Sequence, residues 1–377
     1  MISTIHILII FLFGFAFSED WDSDRVSTDL IEFKSELFSD GYTIPWGMAF
    51  LPDQSLLVTD ISGILYHVNK DGANKVEIKN IPKVYYKGQG GLLDVEIHPD
   101  FKINRILYLA YSDIISKTFK DISCTAIAKA KLLDDRLIDV EIIYKADVDH
   151  YSSSPYHFGS RIVIDKNHLY FSIGDRGSRG DAQNVFLPNG KIHRINLDGS
   201  IPKDNPFKNK NGELSSVYCY GNRNPQGLTL TKNGILLGLE HGPKGGDELN
   251  LIEKGNNYGW PLITYGVNYS GTKITDHTHM DGMEQPIWHW TPSIAVCGMK
   301  EYIGDEFKAW EGNILVTSLK FEYLERVVIK NKKRIHSEIV YRPGSRVRDV
   351  EIGPDRNIFV ALENPGRIVR LYTRDVD

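Results

Sequence analysis

The stretch WGMAFLPDQSLLVTD, residues 46–60, contains two short apolar strands joined by a Pro-Asp turn. The same unit, or at least its second strand, recurs five more times along the 377-residue chain. The further copies are LLDVEIHPDF…RILYLAYSD (92–113), SRIVIDKNHLYFSIGD (160–175), QGLTLTKNGILLGLE (226–240), NILVTSLK (313–320) and RDVEIGPDRNIFVALE (348–363). In several copies a glycine introduces a third strand, as in GILYHV (63–68), GKIHRINLDG (190–199) and GRIVRLY (366–372).

Six multi-stranded units in series predict an all-β fold, a six-bladed β-propeller. A four-stranded blade cannot bury both of its faces alone, but blades stacked around an axis can. A β-sandwich is the competing fold, and the repetition of one hairpin with one turn favours the propeller. No segment of 12 or more residues shows a capped apolar stripe of helical period, so we expect little helix.

Composition excludes several classes of protein. Hydrophobic residues make up 41% of the chain, and 44 basic against 49 acidic residues give a net charge of -5. This balance gives no electrostatic reason to expect binding to nucleic acid or to an anionic membrane. The three cysteines, Cys124, Cys219 and Cys297, are too few and too widely spaced for a disulfide scaffold or a cysteine-rich zinc motif.

The N-terminus has the pattern of a targeting segment. Ile5 to Phe17 is almost entirely apolar, no charged residue precedes Glu19, and Ala16-Phe17-Ser18 resembles a cleavage site. We therefore expect a signal peptide at 1–18, a lead-in at 19–39, a propeller domain at 40–377, and a secreted protein, extracellular or periplasmic. A signal peptide usually begins with basic residues, and this segment has none, so a retained membrane anchor is the alternative. No later run is long enough to cross a membrane, and Asn268 begins a glycosylation sequon.

Polar residues cluster between the strands, and a propeller would bring them to one channel mouth. His157 precedes a strand and Asp175 ends its partner strand, an arrangement that suits a general base. Arg346 and Arg348 share one face of an extended segment and would repel each other unless an anion lay between them. The alternatives are a structural histidine and a solvated blade face.

The loop GPKGG, residues 242–246, lacks the spacing of a phosphate-binding P-loop. Its free carbonyls, followed by Asp247 and Glu248, are the oxygen ligands that Ca²⁺ prefers. His277 and His279 form a pair without the pattern of a third zinc ligand, and no G-x-S-x-G serine motif occurs.

Taken together, the motifs resemble a known family. They are, in order, GQGGLLDVEIHPDF, H-x-G-S-R with IGDRG, AQN (182–184), GKIHRINLDGSIPKDNPF (190–207), GNRNPQGL, EHGPKGGDELNLIEKGNNYGWP (240–261), YGVNYSG (265–271) and PSIAVCGM (292–299). This series is similar to the soluble pyrroloquinoline-quinone (PQQ)-dependent sugar dehydrogenases, the glucose/sorbosone dehydrogenase family, in its aldose sugar dehydrogenase branch. The resemblance extends over about residues 40–372 and implies a six-bladed propeller.

The resemblance also implies the roles of individual residues. His157 would take the proton of the C1 hydroxyl of an aldose while hydride passes to PQQ, and Asp175 would orient that histidine. The substrate and quinone contacts would come from Gln89, Arg223 and Asn224, and the contacts to the cofactor carboxylates from Lys320, Arg346 and Arg348. Calcium would bind the main-chain oxygens of Gly242 and Pro243, and a second calcium would bind Glu248 and Tyr258.

One departure concerns the substrate. The best-known glucose-oxidising members carry an acidic residue before the catalytic histidine, whereas this chain has Tyr156, so the resemblance does not specify the sugar. The expected product is a lactone, and the expected partners are an aldose and a separate electron acceptor. The oligomeric state, monomer or homodimer, is left open. The alternatives are a non-catalytic extracellular propeller of the hedgehog-interacting-protein type and a calcium-dependent propeller lactonase.

Overall fold

The molecule is built from short antiparallel strands, 25 of them within the described residues. The structure, a computed structural model, describes residues 26–27 and 31–373. Two strands precede the repeated blades: β1 (Val26–Ser27) and β2 (Glu32–Tyr42). Blade 1 contains β3 (Pro45–Phe50), β4 (Leu56–Asp60), β5 (Ile64–Val68) and β6 (Lys75–Ile78). Blade 2 contains β7 (Leu92–Ile97), β8 (Ile106–Ile115), β9 (Ile122–Leu133) and β10 (Arg136–Tyr144).

The remaining blades continue in chain order. Blade 3 contains β11 (Ile162–Ile164), β12 (His168–Ile173), β13 (Lys191–Asn196) and β14 (Val217–Tyr220). Blade 4 contains β15 (Pro225–Leu230), β16 (Leu236–Glu240), β17 (Asp247–Leu251) and β18 (Trp288–Trp290). Blade 5 contains β19 (Val296–Glu301), β20 (Ile314–Ser318), β21 (Tyr323–Lys330) and β22 (Lys333–Tyr341). Blade 6 contains β23 (Arg346–Ile352), β24 (Ile358–Glu363) and β25 (Gly366–Tyr372).

The first strands of the blades surround a central channel. β3 neighbours β7, and the series continues through β11, β15, β19 and β23 back to β3. The six-bladed propeller predicted from the repeat is therefore confirmed. Within the described residues, helix is limited to α1 (Phe101–Asn104) and the 3₁₀ turns Val148–His150, Arg179–Gln183 and Lys308–Trp310.

The N-terminal strand completes the last blade. β2 pairs antiparallel with β25, from Lys34 opposite Tyr372 to Tyr42 opposite Gly366, and β1 pairs with β2. The sheet therefore begins before residue 40, inside the segment 19–39 expected to be a lead-in. The predicted signal peptide at 1–18 lies outside the described residues, and none of the described helices is long and apolar enough to cross a membrane.

Apolar side chains fill the spaces between blades. A separate buried cluster lies between each pair of neighbouring blades, all six pairs included. Between blades 5 and 6, Phe33 of β2 meets the rings of Phe307 and Trp310 edge-on at centroid distances of 5.7 and 5.8 Å. All three cysteines are buried and free, so packing holds the blades together without a disulfide.

Candidate active site

The predicted site residues lie at one end of the propeller. Gln89, His157 and Arg223 each come before the first strand of a blade, whereas Asp175 and Lys320 follow second strands. In an antiparallel hairpin, the start of the first strand and the end of the second lie at the same edge of the sheet. The residues from different blades therefore surround one mouth of the channel, as the sequence predicted.

His157 and Asp175 form a direct pair. Nδ1 of His157 lies 2.6 Å from Oδ1 of Asp175, and the indole N–H of Trp260 donates to Oδ2 at 2.8 Å. The main-chain N–H of Gly177 also donates to Oδ1, at 2.8 Å. Because the carboxylate accepts the Nδ1 proton, Nε2 of His157 keeps its lone pair and is the atom able to accept a proton.

Burial and neighbouring charge set the protonation of this pair. The side chain of His157 is 16% exposed, and its burial lowers its pKa; the nearby Arg223 lowers it further and Asp175 opposes both. Burial alone would raise the pKa of Asp175, but the hydrogen bonds that it accepts hold that pKa below its ordinary value. Near pH 7 the site therefore contains a neutral imidazole beside a carboxylate.

Gln89 fixes the backbone of the histidine. Its Oε1 accepts the main-chain N–H of His157 at 2.7 Å, and its own N–H donates to the carbonyl of Pro155 at 2.8 Å. His157 has a φ of 58°, in the left-handed region that is unfavourable for a non-glycine residue. Gln89 thus supports an unusual backbone conformation, while its exposed amide NH₂ group is still available for a substrate.

Arg223 and Asn224 together connect blades 3 and 4. Nη1 of Arg223 donates to the carbonyl oxygens of His241 at 3.0 Å and of Gly242 at 2.8 Å. Asn224, which is buried, accepts the N–H of Gly159 on Oδ1 at 3.0 Å. The predicted pair Arg223–Asn224 therefore joins the loop of His157 to the loop of Gly242.

His241 lies at the centre of the cationic groups. Burial first, and then the positive charges of the neighbouring Arg223, Arg348 and Arg346, lower the pKa of His241 well below its ordinary value. Its Nε2 lies 3.1 Å from Oε1 of Gln226. His241 is therefore close enough to Arg223, Arg346 and Arg348 for their charges to disfavour its protonation.

The anion expected between Arg346 and Arg348 is a protein side chain. Glu363 accepts Nε of Arg346 on Oε2 and Nε of Arg348 on Oε1, both at 2.6 Å. Arg348 is buried and also donates to Gln226 at 3.2 Å, whereas the side chain of Arg346 is 41% exposed. Arg346 is thus the more accessible of the two for a bound anion.

Lys320 lines a cavity of about 680 Å³ beside the site. The same cavity is lined by Gly242 and Pro243, whose carbonyls are predicted calcium ligands, and by the exposed Tyr269. Lys320 thus lies across this cavity from the loop 242–246, at the end of β20.

The predicted calcium ligands have mixed surroundings. The carbonyl oxygen of Gly242 accepts a hydrogen bond from Arg223. Asp247, a possible carboxylate ligand for the metal, accepts the main-chain N–H of Gly242 at 2.9 Å and so stabilises the loop. Glu248 lies on β17 opposite Glu240, and burial together with this neighbour raises the pKa of Glu248 to about 8. Three or more grouped His, Cys, Asp or Glu side chains able to hold a metal are not found among residues 26–27 and 31–373.

Tyr258 differs from the expectation in one respect. Its hydroxyl donates to the carbonyl of Leu251 at 2.6 Å and accepts the N–H of Glu253 at 2.9 Å. The phenol is therefore committed to the backbone, and only the main-chain carbonyl of Tyr258 is left as a ligand for a cation.

Sequence reasoning missed several residues of the site. They are Trp260, Gln226, His241 and Glu363. Glu363 had a usable signal: the turn GPDRN fixes the register of the β23–β24 hairpin and sets Glu363 opposite Arg346. Trp260 had none, since it is distant from Asp175 in sequence and meets it only through the packing of the loops.

Comparison with known proteins identifies the family. The family model described as glucose/sorbosone dehydrogenase matches residues 42–370. The chain belongs to the glucose/sorbosone dehydrogenase family. It is an oxidoreductase, as the names of its relatives indicate, and the non-catalytic and lactonase alternatives are set aside.

Relatives of this glucose/sorbosone dehydrogenase cover most of its length. Aldose sugar dehydrogenase YliI of Escherichia coli is 36% identical over 349 residues, covering 90% of this chain and 93% of that protein. Quinoprotein glucose dehydrogenase B of Acinetobacter calcoaceticus is 28% identical over 465 residues, covering 95% and 92%. The crystal structure of the soluble E. coli aldose sugar dehydrogenase in its apo-form superposes with a TM-score of 0.83 at 35% identity, covering 91% of this chain and 100% of that chain.

Proposed function

We propose that this dehydrogenase oxidises the C1 hydroxyl of aldose sugars to lactones, with PQQ and Ca²⁺ as cofactors and His157 as the general base. The observation that carries the proposal is the contact between Nδ1 of His157 and the buried Asp175, because it leaves Nε2 free to accept a proton. The family relationship supports sugar oxidation, and the name of one relative, a quinoprotein, supports the class of cofactor.

The protein residues supply the proton chemistry. His157 is positioned to receive the hydroxyl proton on Nε2, and the negative charge of Asp175 would stabilise the imidazolium that results. Trp260 and Gly177 keep that carboxylate ionised and fixed in place. A quinone, when bound, supplies the hydride acceptor.

The charges of the site suit a cofactor with three carboxylates. Four cations, Arg223, Lys320, Arg346 and Arg348, belong to the site, and Glu363 pairs with the last two of them. Charge-assisted hydrogen bonds are worth about 1.5–3 kcal/mol each, so the accessible guanidinium of Arg346 and the exposed Lys320 are the first residues that would hold such a group. Asn224 and Gln89 would contact the cofactor and the substrate.

Calcium fits the oxygen donors of the loop 242–246. Gly242 and Pro243 line the cavity, and main-chain oxygen is a suitable ligand for Ca²⁺. For a second ion, the main-chain carbonyl of Tyr258 and the carboxylate of Glu248 are the candidate ligands. A cation there would relieve the repulsion between Glu248 and Glu240.

The place of action and the partners complete the proposal. The apolar segment 1–18 supports secretion, with an aldose as the substrate and a separate electron acceptor. Tyr156, which is 55% exposed beside His157, would contact the sugar in the place of an acidic side chain.

A direct assay tests the proposal. The purified chain is mixed with PQQ, Ca²⁺, a redox dye and a panel of aldoses, and both dye reduction and the melting temperature are measured. His157→Ala should lower turnover by about 10²–10⁴-fold and keep the thermal shift caused by PQQ. Arg346→Ala combined with Arg348→Ala should weaken that shift, and His277→Ala, at an exposed loop histidine, is the control. The absence of both dye reduction and a thermal shift would refute the proposal.

A further inference from the structure

A second cavity, of about 380 Å³, opens next to the candidate active site. Three lysines line it, Lys87, Lys117 and Lys120, together with Phe119, Asp121 and Ser153. We call this cavity the lysine pocket. It lies between the segment that leads to Gln89 and the tip of the β8–β9 hairpin.

Hydrogen bonds connect the hairpin of the lysine pocket to the segment that carries His157. Ser123 of β9 exchanges main-chain hydrogen bonds with Ser152, at 2.8 and 3.0 Å. Arg176, also buried, donates to Ser123 Oγ at 3.0 Å and to the carbonyl of Ser154 at 2.6 Å. The hairpin is thus tied to the segment that ends at His157.

The other side of the lysine pocket is equally close to the site. Lys87 lies two residues before Gln89, whose Oε1 holds the backbone of His157. Tyr85, at the back of the pocket, lies with its ring centroid 6.3 Å from that of Phe158, the residue after the histidine. Ser153, which also lines the pocket, lies four residues before His157 in the chain.

The charge of the lysine pocket is unbalanced. No described residue forms an ion pair or a side-chain hydrogen bond with the ammonium group of Lys87, Lys117 or Lys120, and Asp121 is the one acidic residue in the lining. Three like charges grouped in this way repel one another, and an anion between them would relieve that repulsion. The chain as a whole carries a net charge of -5, so this positive cluster is local.

Phe119 adds an apolar surface at the edge of the lysine pocket. Its side chain is 99% exposed, at the tip of the hairpin. Phe119 lines the same cavity as the three lysines, so its ring is accessible to a ligand bound there. The C–H face of a pyranose ring can pack on such a ring while its charged substituent meets the lysines.

We infer that the lysine pocket is a subsite for the anionic group of the substrate, so that the enzyme acts on aldoses bearing a carboxylate or phosphate. This inference rests on the proposed oxidation at C1 and specifies its substrate class. The lysines lie outside the proton-transfer machinery, and they would act on the affinity for the sugar.

Kinetics of the holoenzyme test the inference. D-Glucose is compared with D-glucuronate, D-glucose 6-phosphate and a disaccharide with a uronic acid at its non-reducing end. The triple variant Lys87→Gln, Lys117→Gln, Lys120→Gln should lower kcat/KM for at least one anionic sugar about tenfold, through KM, and change that for glucose less than about twofold. The control triple variant is Lys203→Gln, Lys208→Gln, Lys210→Gln, at three exposed lysines on another loop.

The comparison of neutral, carboxylated and phosphorylated sugars separates the possible outcomes. A loss for the uronates alone assigns the lysine pocket to carboxylates, and a loss for glucose 6-phosphate alone assigns it to phosphates. An equal effect on neutral and anionic sugars, or no effect on either, overturns the inference. If no sugar is oxidised, the proposed function fails, and calorimetric titration with the same anions still decides: binding that the triple variant abolishes supports the subsite, and no binding overturns it.

Discussion

Arg346 and Glu363 face each other across the β23–β24 hairpin, with Nε of the arginine 2.6 Å from Oε2 of the glutamate. The same carboxylate also holds Arg348, which is buried. Two of the three cations predicted to bind the cofactor are therefore positioned by an internal anion. Their geometry is set in advance, as high-affinity recognition of an anionic ligand requires.

Replacing this anion should affect both stability and cofactor binding. Glu363→Gln leaves Arg348 buried without its charge partner, so we expect the free energy of unfolding to fall by about 3 kcal/mol. Denaturant unfolding measures the loss, and PQQ titration should show weaker binding. Glu77→Gln removes an exposed pair with Lys79 and should cost less than about 1 kcal/mol. Equal losses in the two variants would show that Glu363 does not hold the arginines.

The indole of Trp260 should tune the catalytic pair. Trp260→Phe removes the donor to Oδ2 of Asp175, which leaves the carboxylate less stabilised and raises the pKa of His157. The acid limb of the pH–rate profile should therefore move to higher pH, with about tenfold lower kcat at neutral pH. Trp288→Phe is the matched control, because the indole N–H of Trp288 has no hydrogen-bond partner. An unchanged limb in Trp260→Phe would contradict this role.

The activity of the wild-type enzyme should depend on pH in one direction. Burial lowers the pKa of His157, so the base form is already complete near neutral pH. We expect kcat/KM to rise with pH through a value below 6.5 and to be level above it. Asp175→Asn should lower kcat about 10³–10⁴-fold, because an amide cannot stabilise the imidazolium. A limb centred well above 6.5 in the wild type would refute the assignment of His157.

A histidine far from the site should govern acid stability. His193 is fully buried and stacks on Phe171 with a centroid distance of 4.9 Å; its Nδ1 contacts Ser216 at 2.9 Å. Burial lowers the pKa of His193 to about 3. In the unfolded chain this histidine is protonated below about pH 6.5, whereas in the folded chain it is protonated only below about pH 3. The free energy of unfolding therefore decreases as the pH is lowered from about 6.5 to about 3.

The pH dependence of the free energy of unfolding tests this role of His193. Its contribution is full above about pH 6.5 and is lost by roughly 1.4 kcal/mol per pH unit as the pH decreases. Denaturant unfolding at several pH values compares the wild type with His193→Gln, which should show a shallower dependence between about pH 6 and pH 3. Parallel curves for the two proteins would contradict the prediction.

The repeat made the fold predictable, and its weakest copies mark where prediction was incomplete. The turn and two strands of 46–60 recur in recognisable form, so the number of blades followed directly. The third strand of blade 4, Asp247–Leu251, was not among the third strands that the sequence predicted. Its polar residues are buried by neighbouring blades, and local pattern does not record such burial.

The candidate site, like the fold, was predicted only in part. His157 and Asp175 were predicted because a base and its carboxylate occur in recognisable motifs, and the structure joins them at 2.6 Å. Trp260 was missed because its partner Asp175 is on another blade, and Gln226 was missed because it accepts a hydrogen bond from Arg348 of blade 6. Such contacts depend on how the ring closes, which no single motif encodes.

The pairing of β2 with β25 determines when the site can exist during synthesis. A ribosome releases β2 long before β25, so β2 is joined to the last blade only after nearly the whole chain has been made. Arg346 and Arg348 belong to the blade that this pairing completes. The two arginines proposed to bind the cofactor therefore lie in a completed blade only after β25 has been synthesised.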